Sequence, residues 1–415
     1  MKTIIRPETE MKDSGDIYIG KMPSNWRLTL YKYFADSGMG LTILKEEVND
    51  LGVPIYSATQ DSSIFGYIKN PKLKLSKGDL VIPARGNSIG CTTYVEDDVA
   101  TCTQTTIYSK VSGINSKFLF YCSIGLKEKW FYYVQTAIPQ ITVSQVQNNK
   151  VPLPALSEQQ AISDYLDETC SKIDEIIVEA KVTIEEYKEL KQSVIFEAVT
   201  KGLDKNVEMM ETGEKWLNNI PNHWRMEKGK NLLFETNFRS VDGRDELLTV
   251  SQYTGVTPRS KKNVTMFQAA SLVDYKICKV GDIAANTMWM WAGAVGVSKY
   301  HGVISPSYNT YRQKHNDYNS NYLDYLLRIK PLVDEYASLS TGIRASRLRL
   351  YPTQFLSINY PVPPLCEQED IVEFLDKRIV EIDSLIAEKE SLINDLEAYK
   401  KSLIYEVVTG KRRVV

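Results

Sequence analysis

Pro154-Ala155-Leu156-Ser157-Glu158-Gln159 recurs 209 residues later as Pro363-Pro364-Leu365-Cys366-Glu367-Gln368, and the rest of the chain is arranged around that repetition. The register runs on without a gap through Ser193/Ser402, Ile195/Ile404, Glu197/Glu406 and Val199-Thr200/Val408-Thr409, and more than a third of the aligned positions are identical. A second pair stands ahead of each copy. Pro23-Ser24-Asn25-Trp26-Arg27 matches Pro221-Asn222-His223-Trp224-Arg225 at an offset of 198. The stretches between the Pro-x-x-Trp-Arg and Pro-x-Leu-x-Glu-Gln motifs are much less alike. The chain is therefore a variable globule followed by a shared rod, written twice.

The rods read as helices. Each lacks proline after its first residues and lacks glycine until its end, where Gly202 and Gly410 fall at the place of a C-terminal cap. Ser157 with Gln160 resembles a capping box. Apolar residues recur on a heptad. In the first rod position a is Ile162, Thr169, Ile176, Thr183 and Leu190, and d is Leu166, Ile173, Ala180, Tyr187 and Val194. In the second, a is Ile371, Arg378, Leu385, Leu392 and Tyr399, and d is Leu375, Ile382, Lys389, Leu396 and Leu403. At 1.5 Å per residue each helix is roughly 70 Å long. The expected fold is α/β (α+β) globules alternating with long helices that pair as an antiparallel two-helix coiled coil, with a pseudo-twofold internal repeat. The segments are 1–23, globule 24–154, helix 155–201, linker 202–221, globule 222–362, and helix with basic tail 363–415. Residues 1–23 resemble residues 199–221, so the chain is expected to start where its second helix ends. Within the globules, residues 81–83, 101–109 and 308–312 have strand character, and 118–134 and 321–336 read as helical. Lys77-Gly78-Asp79-Leu80 and Val280-Gly281-Asp282-Ile283 look like equivalent turns into strands.

Composition is that of a folded protein, 415 residues with 43% hydrophobic and 25% charged. No apolar run approaches the ~20 residues that span a bilayer. Six cysteines without a CxxC pair, and a polar N-terminus, predict buried thiols in a reducing cytoplasm. Three scattered histidines do not make a metal site. The net charge of −2 argues against nucleic acid only until it is divided. The first globule holds 13 basic and 10 acidic residues and the second 18 and 11, net +3 and +7, whereas the helices carry −6 and −7. Basic globules on acidic rods suit phosphate contact. Two similar globules held in inverted orientation suit duplex DNA, whose backbone has local twofold symmetry. Geometry alone leaves a structural dumbbell or protein-binding scaffold equally open.

Two tandem Pro-x-Leu-x-Glu-Gln helices closing in Val-Thr, with a Pro-x-x-Trp-Arg entry to each globule, resemble the specificity subunit of type I restriction-modification systems, over essentially the whole chain. Further matching pieces are Gly78 through Gly86, Ser305-Pro306-Ser307-Tyr308 and Gly342-Ile343-Arg344. The halves differ where Ala137-Ile138-Pro139-Gln140 stands against Gly342-Ile343-Arg344-Ala345, so they are expected to read different sequences. The resemblance implies that each globule is a target recognition domain for one half of a bipartite, asymmetric site in double-stranded DNA. It implies helices that set the spacing and dock two methyltransferase (modification) subunits, with two restriction (nuclease/translocase) subunits joining them. S-adenosylmethionine, ATP and magnesium belong to those partners and no cofactor to this chain.

The residues agree with a non-catalytic part. There is no Asn/Asp-Pro-Pro-Tyr/Phe motif and no Gly-x4-Gly-Lys-Ser/Thr loop, and three histidines give no Ser/His/Asp set. The rival readings are a coiled-coil scaffold and the recognition module of a fused restriction-methylation enzyme, which at this length is not expected. Base reading needs donors and acceptors on loops that reach a groove. In the first globule Arg85, Asn87 and Ser88 lie in a glycine-flanked loop after a strand, followed as candidates by Gln104, Gln140 and Thr142. In the second, Asn286, Thr287, Trp289 and Trp291 follow the equivalent turn, with the two tryptophans expected on one strand face. Tyr308, Arg344, Arg347 and Arg349 complete the set. Glu158, Gln159, Glu367 and Gln368 are candidates for an exposed methyltransferase dock.

Overall fold

The computed structural model describes residues 2–61, 63–132, 139–262, 271–343 and 348–414. They fall into two units, Met1–Lys181 with Glu390–Val415, and Val182–Lys389. Each unit takes one globule and part of both long helices, which run Leu156–Lys201 and Leu365–Val408. Gly202 and Gly410 follow them at φ of 74° and 72°, the left-handed conformation that ends a helix with least strain in glycine. The capping-box expectation is corrected: the first long helix begins at Leu156, so Ser157 is already inside it.

In the first unit a four-stranded antiparallel sheet is ordered Ala35–Met39, Thr106–Val111, Leu80–Pro83, Thr93–Tyr94. The strand Leu80–Pro83 is buried along its length because both faces are covered. Leu80 and Ile82 pack with Phe118 and Leu119 of the helix Ser116–Gly125, while Val81 packs on the other side with Tyr56, Leu75 and Cys102. Period-2 alternation sends successive side chains to opposite faces, so an unbroken apolar run is what a strand between two cores requires. Beyond the second core, Val53–Tyr56 pairs with Ile64–Ile68 and runs parallel to Thr101–Cys102. The expected strand 101–109 is two strands, Thr101–Cys102 and Thr106–Val111, with a polar turn between them.

The second unit repeats this plan. Its sheet is ordered Leu233–Thr236, Asn309–Gln313, Ile283–Ala285, Val295–Val297. Ile283 and Ala285 face the large core, and Ala284 faces the smaller core with Leu248 and Cys278. The helical stretch read as 321–336 is two helices, Ser320–Leu327 and Lys330–Leu339, because Pro331 cannot continue the first and opens the second. In the first unit helices occupy Ser116–Gly125 and Lys127–Trp130, while residues 133 and 134 of the expected helix lie outside the described residues.

The helix partnership follows from side chains that the repeat keeps identical. In the first unit Trp26, 1% exposed, donates its indole N–H to Glu158 at 3.0 Å, and a Cβ on Gly410 would collide with Pro23 and Trp26. Farther along, Lys400 pairs with Asp174 at 2.6 Å. The start of one helix therefore lies beside the end of the other, and they run antiparallel. In the second unit Trp224 donates to Glu367 at 2.9 Å, Gly202 lies against Trp224, and Lys191 pairs with Asp383 at 2.7 Å. Tyr121 donates to Asp167 at 2.6 Å, and Tyr325 to Asp376 at the same distance. In every one of these pairs the long-helix residues map onto each other at the offset of 209. Exposed ion pairs contribute at most about 1 kcal/mol each, so Lys–Asp pairing serves alignment more than stability.

The heptad frame is corrected. The expected d residues Leu166, Ile173, Ala180, Leu375, Ile382 and Leu403 and the first a residues Ile162 and Ile371 are buried, but the later a residues Ile176, Leu190, Leu385, Leu392 and Tyr399 are exposed. One residue after the expected a positions Thr169, Ile176, Thr183 and Leu392, the side chains of Cys170, Ile177, Ile184 and Ile393 are buried instead. The chain ends meet in the first unit, where Thr3–Ile5 pairs antiparallel with Arg412–Val414.

Candidate nucleic-acid interface

The loops beyond the Gly78-Asp79 turn form one polar face in the first unit. Asp79 itself is an anchor: its carboxylate accepts from the amides of Ser76 at 2.8 Å and Val111 at 3.1 Å, which fixes the turn. After the buried strand, Arg85 stands exposed at the head of the short 3-10 turn Gly86–Ser88, and its backbone bridges to Gln140. Asn87 is exposed, and its carbonyl accepts from Gln60 at 3.4 Å. Gln104 is exposed and accepts from the Thr42 hydroxyl at 2.7 Å. Arg85, Asn87, Gln104 and Gln140 are thus presented to solvent from neighbouring loops. Two candidates are placed otherwise. Ser88 is buried and donates to the carbonyl of Ala58 at 2.9 Å, holding two loops together. Thr142 caps the helix Val143–Gln147 in a reciprocal capping box with Gln145.

Sequence reading missed Thr42, Ser57, Gln60, Thr103 and Thr105, which join this face. The hydroxyls of Ser57, Thr103 and Thr105 form a chain at 3.1 and 2.8 Å. The run Thr101-Cys102-Thr103-Gln104-Thr105-Thr106 was the available signal: its polar centre interrupts an otherwise strand-like segment.

In the second unit the equivalent anchor is Asp282, 1% exposed on its side chain, held by two hydrogen bonds from Arg312 at 2.6 and 2.8 Å. Those bonds raise the Arg312 pKa above its already high value. Asn286 is corrected from reader to support, since it is buried and donates to the Tyr308 hydroxyl at 2.9 Å. Burial raises the Tyr308 pKa, so the phenol remains protonated at neutral pH. Thr287 donates to the carbonyl of Ser307 at 2.8 Å. Trp289 and Trp291 lie on a 3-10 turn, Met290–Ala292, and not on the expected strand. Their rings stack all the same, with centroids 5.5 Å apart and planes at 25°. Arg349 is half-buried and donates to the carbonyl of Leu348, and its backbone pairs with Thr341. Arg344 and Arg347 lie outside the described residues.

The exposed dock expected at the Glu-Gln pairs is corrected. Gln159 is 4% exposed and Gln368 fully buried. Gln159 accepts from the amide of Asn115 at 2.9 Å and donates to Pro154, while Gln368 accepts from the amide of Asn319 at 2.8 Å and donates to Pro363. Asn115 and Asn319 are the N-caps of equivalent helices. Glu158 receives Trp26 and Arg6, and Glu367 receives Trp224 and His223. A buried carboxylate or amide is tolerated only when so partnered. These four residues join globule to helix.

Among the described residues no group of three or more His, Cys, Asp or Glu side chains is placed to hold a metal ion. Nor is any described helix long and apolar enough to cross a membrane. Burial pushes the thiols of Cys102 and Cys170 up to about 11 and that of Cys278 up to about 12.

Residues 23–186 match the family described as type I restriction modification DNA specificity domain. The MjaVIII type I restriction enzyme specificity subunit of Methanocaldococcus jannaschii is 24% identical over 371 residues, covering 85% of this chain and 83% of its own. The putative MjaX specificity subunit of the same organism is 24% identical over 437 residues, covering 95% and 96%. The fold is shared with the crystallised HsdS subunit from Thermoanaerobacter tengcongensis, at a TM-score of 0.53 and 16% identity over 94% of this chain and 98% of that one. A chain from a structure of type I R-M complex assembly gives a TM-score of 0.69, also at 16% identity, over 94% and 99%. The fold and the doubled frame are those of a two-part protein built from an internal repeat. What the chain is similar to, over most of its length, is the specificity subunit of type I restriction-modification systems.

Proposed function

We propose that the chain is a type I specificity subunit and that each of its units reads one half of a bipartite, asymmetric site in double-stranded DNA. The observation that carries this reading is a constant frame with variable tips. The Trp–Glu, Gln–amide, Tyr–Asp and Lys–Asp contacts repeat residue for residue, whereas the turn after the buried central strand is Gly86-Asn87-Ser88 in one unit and Met290-Trp291-Ala292 in the other. A frame that stays fixed while its tips diverge is the arrangement expected of two readers with different half-sites. Arg85, Asn87, Gln104 and Gln140 supply hydrogen bonds to base edges in the first, and the Trp289–Trp291 turn with Arg344, Arg347 and Arg349 supplies contact in the second.

The long helices set the spacing between half-sites and dock two methyltransferase subunits. One dock lies in the first unit on the exposed side chains of Ile176, Leu392 and Tyr399, and one in the second on Leu190 and Leu385, since exposed apolar side chains in a row mark a protein contact. Two restriction subunits complete the assembly in the cytoplasm. S-adenosylmethionine, ATP and magnesium bind those partners, and methyl transfer and cleavage are theirs. The test is reconstitution with the cognate methyltransferase subunit. Methylation of adenine at one bipartite sequence is expected, and methylation without sequence preference would remove the recognition role.

A further inference from the structure

The two units place chemically opposite groups at the same turn. In the first, the turn after the central strand offers a guanidinium and an amide. In the second it offers two indoles. Trp289 is 52% exposed, although a large apolar side chain at a fixed turn ordinarily packs inward. Its neighbours hold it there. Met290 beneath it is 1% exposed, and the Trp289 amide donates to Asn286 at 2.9 Å. Gly293 closes the turn at φ 83°, and a Cβ there would come within 3.0 Å of Val333. Trp291 is pinned by its indole N–H to the carbonyl of Met288 at 3.0 Å, so it serves as the shelf on which Trp289 is stacked. A rigid, half-exposed aromatic ring at the reading tip of a globule with net charge +7 has little to gain from hydrogen bonding and much from a base face.

We propose that Trp289 acts as a stacking wedge: it enters the duplex at one base step of the half-site read by the second unit and unstacks it. This rests on the DNA-reading function above. Apolar wedges of this kind exploit steps that open readily, pyrimidine–purine steps foremost, so sequence is selected by deformability as well as by hydrogen bonds. The first unit, with Asn87 at that turn, reads without a wedge. The unstacking is distinct from the extrusion of the target adenine that a methyltransferase requires.

The test uses the full chain assembled with its methyltransferase subunits on its mapped target duplex, with 2-aminopurine placed in turn at each position of the second half-site. A several-fold fluorescence rise is expected at one step away from the methylated adenine. It should vanish in Trp289→Ala, persist in Trp289→Phe, and be accompanied by about a 10- to 100-fold weaker Kd for the alanine variant. Because the ring is half-exposed, the variant's melting temperature and its assembly with the methyltransferase should stay unchanged. No rise at any step outside the methylated adenine, or a rise that survives Trp289→Ala, overturns the wedge. Loss of DNA-free assembly in Trp289→Ala makes the ring a protein contact and also overturns it. Failure of the unaltered complex to prefer its target over random duplex overturns the reading of the whole chain, and the wedge with it.

Discussion

Glu158 and Glu367 show how little of a residue's task is visible in its type. Each was a plausible surface acid at the head of a helix, and each is the acceptor that seats a buried tryptophan, Trp26 or Trp224. The Glu-Gln pair was legible as a repeat but not as a joint, because the glutamates' partners lie more than 130 residues away and the asparagines that meet the glutamines 44 and 49. Arg85 is the opposite case. It stands exposed at the head of the turn Gly86–Ser88, bridged through its backbone to Gln140. Arg85→Ala should cost about 1–3 kcal/mol in binding and relax preference at a single base pair, as expected for a guanine contact. Equal weakening on all sequences, measured by competition binding, would make it a phosphate contact. The thiols give a second test at this scale. Burial raises Cys102, Cys122, Cys170 and Cys278, whereas Cys366 is exposed and Cys91 half-exposed beside Lys127. Since the thiolate is the nucleophile, alkylation at pH 8 should label Cys366 and then Cys91 in the folded chain, and the other four only after unfolding. Mass spectrometry of the labelled peptides reads this directly.

At the scale of elements, the helices and most d positions of their seam were legible, and several a positions were one residue off. The reason is local. Ile176-Ile177, Leu385-Ile386 and Leu392-Ile393 put apolar residues in both frames, so periodicity could not choose between them. The partner helix chooses, through contacts far away in sequence. The consequence is measurable. Ile382 is 1% exposed and Leu385 41% exposed. Ile382→Ala should lower stability by about 2–4 kcal/mol in urea unfolding, and Leu385→Ala by much less, because only the first leaves a cavity. If the two cost the same, the corrected seam is wrong. Leu385 belongs to the proposed dock, so its alanine variant should fold but assemble poorly with the methyltransferase. In the globules, strands were legible where an apolar run lay between two cores, as at Leu80–Pro83. Turns were less so: Asn286 turns inward because Tyr308 offers its hydroxyl, and no short pattern encodes that.

At the scale of the molecule, the charge sum of −2 averages basic globules and acidic helices, and the doubled frame explains why the parts differ. A modular reader makes a modular prediction. Replacing residues 24–150 by the corresponding globule of another such subunit should change one half-site and leave the other intact. Inserting one heptad into a long helix should alter the gap and neither half-site. A change in both half-sites on globule exchange would mean that the units do not read independently. The most direct test of the central claim is a genome-wide map of methylated adenines in cells carrying this chain and its methyltransferase subunit. Two fixed, different sequence blocks separated by an unspecified gap of constant length are expected. Methylation at a single contiguous motif, or without preference, would contradict the account.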